Sequence, residues 1–250
     1  MRRLRYGRDD ELARVAELVD GACRGAGGGL LVVGEPGVGK TELLEAASAR
    51  FPGVMVLRSA AIDSEARPAF TDLAALLHPL TEVPADLEPG HAQTLGPLLG
   101  RPGPAPVDPY AVGVALLHLL SGLAERRPML VVLDDLQWVD RASATALCFL
   151  ARRLLADRVA VLLAARPTPA LEAAGLPLLR LAGLTGPAAE RLLADTSDCA
   201  PATRRRLAAA VHGNPLALLE VPALLTPRQR AGVEALPDPL PVSPTLRTSS

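Results

Sequence analysis

Lysine is almost missing from this chain. Of its 26 basic residues only Lys40 is not arginine. Asparagine and isoleucine occur once each, at Asn214 and Ile62. Aromatic residues are 2% of the 250 residues while 49% are hydrophobic, so a core must be assembled from Leu, Val and Ala. Cysteine is scarce and scattered, at Cys23, Cys148 and Cys199. That pattern matches no metal or disulfide spacing and predicts reduced, partly buried thiols in a cytoplasmic protein. An excess charge of either sign is also lacking. The net charge of −1 gives no electrostatic argument for nucleic-acid binding. Long hydrophobic runs are missing too. The longest, residues 111–124, contains His118 and Ser121 and is too short to span a bilayer, so no membrane association is expected. Residues 1–6 carry arginines followed by charges rather than an apolar run, so no secretory signal is expected.

The single lysine lies in Gly34-Glu35-Pro36-Gly37-Val38-Gly39-Lys40-Thr41. This G-x-x-x-x-G-K-T spacing is that of a phosphate-binding loop. Its glycines let backbone N–H groups curl around phosphate oxygens. Its lysine is a compact charge that slips between β- and γ-phosphates, where a planar guanidinium is too wide. Thr41 supplies a hydroxyl for Mg²⁺. The apolar run at residues 30–33 reads as a buried strand and residues 42–50 as a helix, which is the setting the motif needs. A nucleoside triphosphate is the expected ligand.

Further elements follow from periodicity. Helices are expected over residues 8–24, 70–78, 110–125, 143–155, 201–212 and 215–225, with another starting at Thr185. Strands are expected at 54–57, 129–133, 159–165 and 178–181. Residues 79–109, broken by eight prolines, read as an irregular connection with a short helix near 91–99. Strands alternating with helices predict a three-layer α/β fold around a mostly parallel sheet. The expected organisation is an α/β core over residues 1–183, a partial helical lid over 184–235 and a proline-rich, extended or disordered tail over 236–250.

Leu130-Val131-Val132-Leu133-Asp134-Asp135 is an apolar strand ending in two acids, a Walker B pattern. Asp134 would hold the hydrated Mg²⁺, and Asp135 would orient or activate the attacking water. The second acid is aspartate, and its shorter arm predicts slow hydrolysis. Arg166 follows the next strand, where its charge could report the γ-phosphate. A solvated arginine is the alternative in so arginine-rich a chain. Gly213 and Pro215 suffice to end one helix and begin the next. Trp138 reads as a packing residue, and His78, His91 and His118 share no ligand spacing.

Together with Gly7-Arg8-Asp9-Asp10-Glu11-Leu12, Leu136-Gln137-Trp138-Val139-Asp140, Ala164-Ala165-Arg166 and Gly213-Asn214-Pro215-Leu216-Ala217-Leu218, these motifs resemble a known group. It is the signal-transduction ATPases with numerous domains (STAND), of the AAA+-like branch of P-loop NTPases. The ATPase module of large ATP-binding LuxR-type transcriptional regulators is the nearest likeness. The resemblance covers roughly residues 5–240. It implies ATP with Mg²⁺, an extra strand between the phosphate-loop and Walker B strands, residues 34–41 on the triphosphate, and Asp134 on the metal. It also implies Arg166 as γ-phosphate sensor, Pro215 near the adenine, and the segment containing Arg8 beside adenine and ribose. These residues hold no basic recognition helix, so the transcriptional role does not carry over to them. Two other readings stand beside a weak ATPase switch: a non-enzymatic module that docks to a full-length regulator, and a DNA-loading protein of origin-recognition type. Near-zero charge and the missing winged helix oppose the last.

Overall fold

A computed structural model describes residues 6–61, 68–80, 84 and 87–241. Ile62 and the tail beyond Pro241 lie outside the described residues. The chain divides into two compact units. A sheet unit comprises Leu12–Val33 and Leu44–Leu179, and a helical unit comprises Met1–Glu11, Gly34–Leu43 and Arg180–Ser250.

The sheet has five strands: β1 Gly28–Val33, β2 Met55–Ala60, β3 Met129–Asp134, β4 Val159–Ala165 and β5 Leu178–Arg180, in the order β2-β3-β4-β1-β5. The pairings β2–β3, β3–β4 and β1–β4 are parallel. Strand β4 separates β1 from β3, as the family resemblance implies. Strands β3 and β4 are buried at every position because both of their faces are covered, which is why they read as unbroken apolar runs. Edge strands β2 and β5 are only partly buried. Parallel register brings the ends of β1, β3 and β4 to one edge of the sheet, pairing Val33 with Ala165 and Leu133 with Leu163.

The helices are α1 Asp9–Cys23, α2 Lys40–Arg50, α3 Thr71–Leu77, α4 Pro89–Leu95, α5 Pro109–Arg126, α6 Arg141–Ala151, α7 Pro169–Glu172, α8 Gly186–Thr196, α9 Pro201–Ala210, α10 Pro215–Leu224 and α11 Pro227–Arg230. Helix α5 is capped by Asp108, whose side chain accepts from the Tyr110 N–H, and it has Pro109 in its first turn. It buries Val112, Ala115, Leu116, Leu119 and Leu120, one helical stripe, in a core shared with Leu73, Leu76 and Leu77 of α3. Each fully buried leucine contributes about 1.5–3 kcal/mol. Helix α6 ends at Ala151, short of the expected 155. The Arg153 N–H turns back to the Leu150 carbonyl, and Leu154 tucks into the core while Leu155 is exposed.

The helical unit has its own core, built from Leu184, Ala188, Leu192, Leu193, Leu207, Leu218 and Val221. Leu236 and Leu240 pack against it, so the proline-rich segment up to Pro241 is irregular but attached. Tyr6 packs on the same core and donates to Asp195 Oδ2 at 2.7 Å. Among the described residues no helix is long and apolar enough to cross a membrane.

Candidate functional site

The loop of residues 34–41 belongs to the helical unit, and its glycines serve different needs. Gly37 and Gly39 have φ of 75° and 101°, conformations a side chain resists. A Cβ on Gly34 would stand 2.7 Å from the Leu181 carbonyl oxygen, so there the requirement is close approach. Lys40 opens α2 and is buried. Its Nζ donates to the Gly34 carbonyl at 2.7 Å and the Glu35 carbonyl at 3.1 Å, spanning the mouth of its own loop.

Arg8 is buried with its charge engaged. Its guanidinium donates to the Val38 carbonyl at 3.0 Å, to the Ala182 carbonyl at 2.6 Å and to Glu11 at 2.9 Å. Asn214 caps α10, its Oδ1 accepting from the N–H groups of Leu216 and Ala217. A cavity of about 310 Å³ lies in this unit, within the size range of small-ligand sites. It is lined by Arg8, by Gly37, Val38, Gly39, Thr41 and Glu42 of the loop and the start of α2, and by Leu184, Leu192, Pro215, Leu216 and Leu219. Loop N–H groups and a helix N-terminus suit phosphates. The apolar residues suit a flat base. The donor set therefore fits a nucleotide. Of the residues singled out in the sequence, the phosphate loop, Arg8 and Pro215 are brought together here.

Asp134, Asp135 and Arg166 belong to the sheet unit, with Asp134 at the end of β3 and Arg166 just past β4. Asp134 is buried, and its Oδ1 accepts from the Asp135 N–H at 2.9 Å. Asp135 is left-handed, with φ of 55°. Aspartate tolerates that conformation better than longer side chains, a physical reason for the second acid to be Asp. The residue that sequence reasoning passed over is Gln137. Its Nε2 donates to Asp135 Oδ1 at 2.8 Å, and its Oε1 accepts from the Arg166 N–H at 3.0 Å. Asp135 and Arg166, two of the candidate catalytic positions, thus hang on one amide. The signal was its place in the block after the two acids, but nothing local indicates a bond to residue 166. The Arg166 guanidinium lies 5.7 Å from the Trp138 ring centroid, and Trp138 is partly exposed rather than a core residue.

A second polar cluster in this unit joins residues far apart in the sequence. Asp140 caps α6, accepting from the Ser143 N–H, and also accepts from the backbone N–H groups of Phe70 and Asp72. Asp72 accepts in return from the Asp140 N–H at 2.8 Å. Burial pushes the Asp140 carboxyl up, but the hydrogen bonds from Ser143, Phe70 and Asp72 prevail and hold it below the usual range.

Residues 5–164 match the family model described as an AAA ATPase domain. The chain belongs to that family. The AAA ATPase domain accounts for the lysine loop and the strand ending in two acids, and the family implies nucleotide binding. An uncharacterized protein of Rhizobium meliloti (strain 1021) is 28% identical over 197 residues, 66% of this chain and 19% of that protein. The fold is shared with a STAND protein with a tetratricopeptide repeat sensor from Pyrococcus horikoshii, at TM-score 0.55 and 20% identity. That alignment covers 86% of this chain and 30% of the other. It is also shared with the Drosophila ORC bound to DNA, at TM-score 0.52 and 17% identity, covering 86% of this chain and 54% of that one. The chain thus spans about a fifth of the curated relative, and 30% and 54% of these two structures.

Proposed function

We propose that this AAA ATPase domain binds ATP in the cavity of its helical unit and hydrolyses the β–γ phosphoanhydride slowly, as a switch. The reading is carried by one observation: a single cavity is lined both by phosphate-loop residues, Gly37, Val38, Gly39 and Thr41, and by the apolar Pro215, Leu216 and Leu219. Backbone N–H groups of residues 34–41 and the N-terminus of α2 would take the phosphate oxygens. Lys40 would exchange two neutral carbonyl partners for anionic phosphate oxygens, adding a charge–charge attraction to bonds that its ammonium already assists. Pro215 would pack on the adenine, with Arg8 beside adenine and ribose. Thr41 and Asp134 would hold Mg²⁺, which supplies charge neutralisation at the phosphates. Asp135 would accept the proton of the attacking water while Gln137 fixes its carboxylate, and Arg166 would respond to the γ-phosphate.

The finer assignment is to the ATPase module of a LuxR-type regulator acting in the cytoplasm. The free state of Cys23, Cys148 and Cys199 suits a reducing compartment. Self-association or docking to a regulator protein would read out the switch. Titration with a fluorescent ATP analogue and Mg²⁺, with phosphate release followed in the same samples, tests the reading. Lys40→Ala is expected to weaken binding by about 10- to 100-fold, the worth of bonds to a charged group. Asp135→Asn is expected to bind normally and to release phosphate about 100-fold more slowly. Unchanged affinity in Lys40→Ala would refute the site.

A further inference from the structure

The phosphate loop is gripped from behind. Three consecutive loop carbonyls are each engaged by a donor from outside the loop. Asn214 Nδ2 donates to the Pro36 carbonyl at 2.8 Å, the Leu216 N–H donates to the Gly37 carbonyl at 3.2 Å, and Arg8 donates to the Val38 carbonyl at 3.0 Å. Asn214 is the pivot of this set. Its Oδ1 is committed to two N–H groups of α10, so its NH₂ must face a carbonyl, and chemistry alone fixes the amide orientation. Serine, threonine or aspartate would cap α10 equally well. None of them offers an acceptor for the helix and, from the same planar group, a donor for the loop. That gives the chain's single asparagine a reason to stand here. The approach is close: a Cβ on Gly37 would be 2.9 Å from Asn214 Oδ1 and 2.7 Å from Leu216 Cβ.

We propose that Asn214 is a positioning residue that locks the phosphate loop to helix α10, so that phosphate in the loop orders the helix. A carbonyl held outward leaves its peptide N–H aimed inward, which is the orientation a phosphate needs. Order gained by the loop on binding is passed through the Pro36 and Gly37 carbonyls to the first turn of α10. The proposal rests on the reading of residues 34–41 as the phosphate site.

Inorganic tripolyphosphate with Mg²⁺ separates the two ideas, because it has no base to touch α10 directly. Hydrogen exchange of the full chain is measured with and without it. In wild type, exchange is expected to slow in residues 34–41 and, by about 3- to 10-fold, in residues 214–220, the scale of one hydrogen bond. In Asn214→Ser, which keeps the capping oxygen, slowing is expected to stay confined to the loop. Asn214→Asp, which keeps an equally good cap and has no N–H donor, must behave the same way, and it serves if the serine variant does not fold. Protection of the loop without protection of α10 in wild type would overturn the lock and leave the phosphate site standing. Equal coupling in all three chains would overturn the role of Asn214. Protection of neither segment would overturn the phosphate site and the lock with it.

Discussion

At the scale of single residues, the phosphate loop shows backbone shape outranking side-chain chemistry. Gly37 combines a φ of 75° with a Cβ position 2.7 Å from Leu216 Cβ, so alanine there meets both torsional resistance and a collision. Left-handed conformation costs about 1–2 kcal/mol and overpacking about 1–3 kcal/mol. Gly37→Ala is therefore expected to destabilise the helical unit by about 2–5 kcal/mol in denaturant unfolding. Gly53→Ala, where nothing lies within 4 Å, should stay within about 0.5 kcal/mol of wild type. Equal effects at the two sites would remove the shape argument. Gln137 supplies the complementary case, a side chain whose value is the two groups it connects. Gln137→Ala frees the Asp135 carboxylate and the Arg166 N–H together. Phosphate release should fall about 3- to 10-fold with nucleotide affinity unchanged, since one hydrogen bond is lost at each end and none at the cavity. A parallel loss of affinity would show that Gln137 serves binding instead.

At the scale of elements, the most consequential contact in the sheet unit joins residues 68 apart. Asp140 and Asp72 each accept from the other's backbone, and Ser143, fully buried, donates to Asp140 while accepting from the Leu73 N–H. Two helix N-termini are thus closed by one clasp. It also holds Phe70 in a left-handed conformation, φ 65°, that a phenylalanine would otherwise avoid. The Asp140 carboxyl is held below its ordinary value of 3.8, so its stabilisation is complete above that value and is lost as pH falls through the lower folded-state value. Asp140→Asn can satisfy fewer of the donors. It should be less stable than wild type by about 1–3 kcal/mol at pH 7, and the gap should narrow below about pH 4. A gap independent of pH would mean that the carboxylate charge is not what the clasp uses. The clasp also marks what the sequence could convey. The cap that Asp140 provides is local, three residues from the N–H it accepts, and β3 and β4 were legible as unbroken apolar runs. The partner Asp72, the bond from Gln137 to residue 166 and the bond from Asn214 to Pro36 were not legible, because each depends on where distant segments meet. Helices α7 and α11 were missed for another reason: they are four residues long, too short for periodicity. Yet Thr168-Pro169 and Thr226-Pro227 carried the cap-and-proline signal.

At the scale of the whole molecule, two cores of unequal strength share one chain. Strands β3 and β4 are covered at every position. The helical unit relies on helices of 10–11 residues and on Ala188, Ala189, Ala208 and Ala217 among its buried positions. Helices of that length are marginal alone, and each methylene that alanine lacks forgoes about 0.8 kcal/mol of burial. Amides of α8–α10 should therefore exchange at lower opening free energy than those of β1, β3 and β4. The phosphate loop and the cavity belong to this weaker unit. ATP that binds only its closed form must raise its opening free energy by mass action, about 2.7 kcal/mol at a free concentration one hundred times Kd. Native-state hydrogen exchange with saturating ATP and Mg²⁺ should thus slow α8–α10 by about two orders of magnitude and leave the β3 and β4 amides nearly unchanged. At the same ATP concentration Lys40→Ala, binding about 10- to 100-fold more weakly, should cut the slowing to about 2- to 10-fold. Slowing spread evenly over both units would mean that they open as a single cooperative body, and a switch confined to the helical unit would have no physical basis.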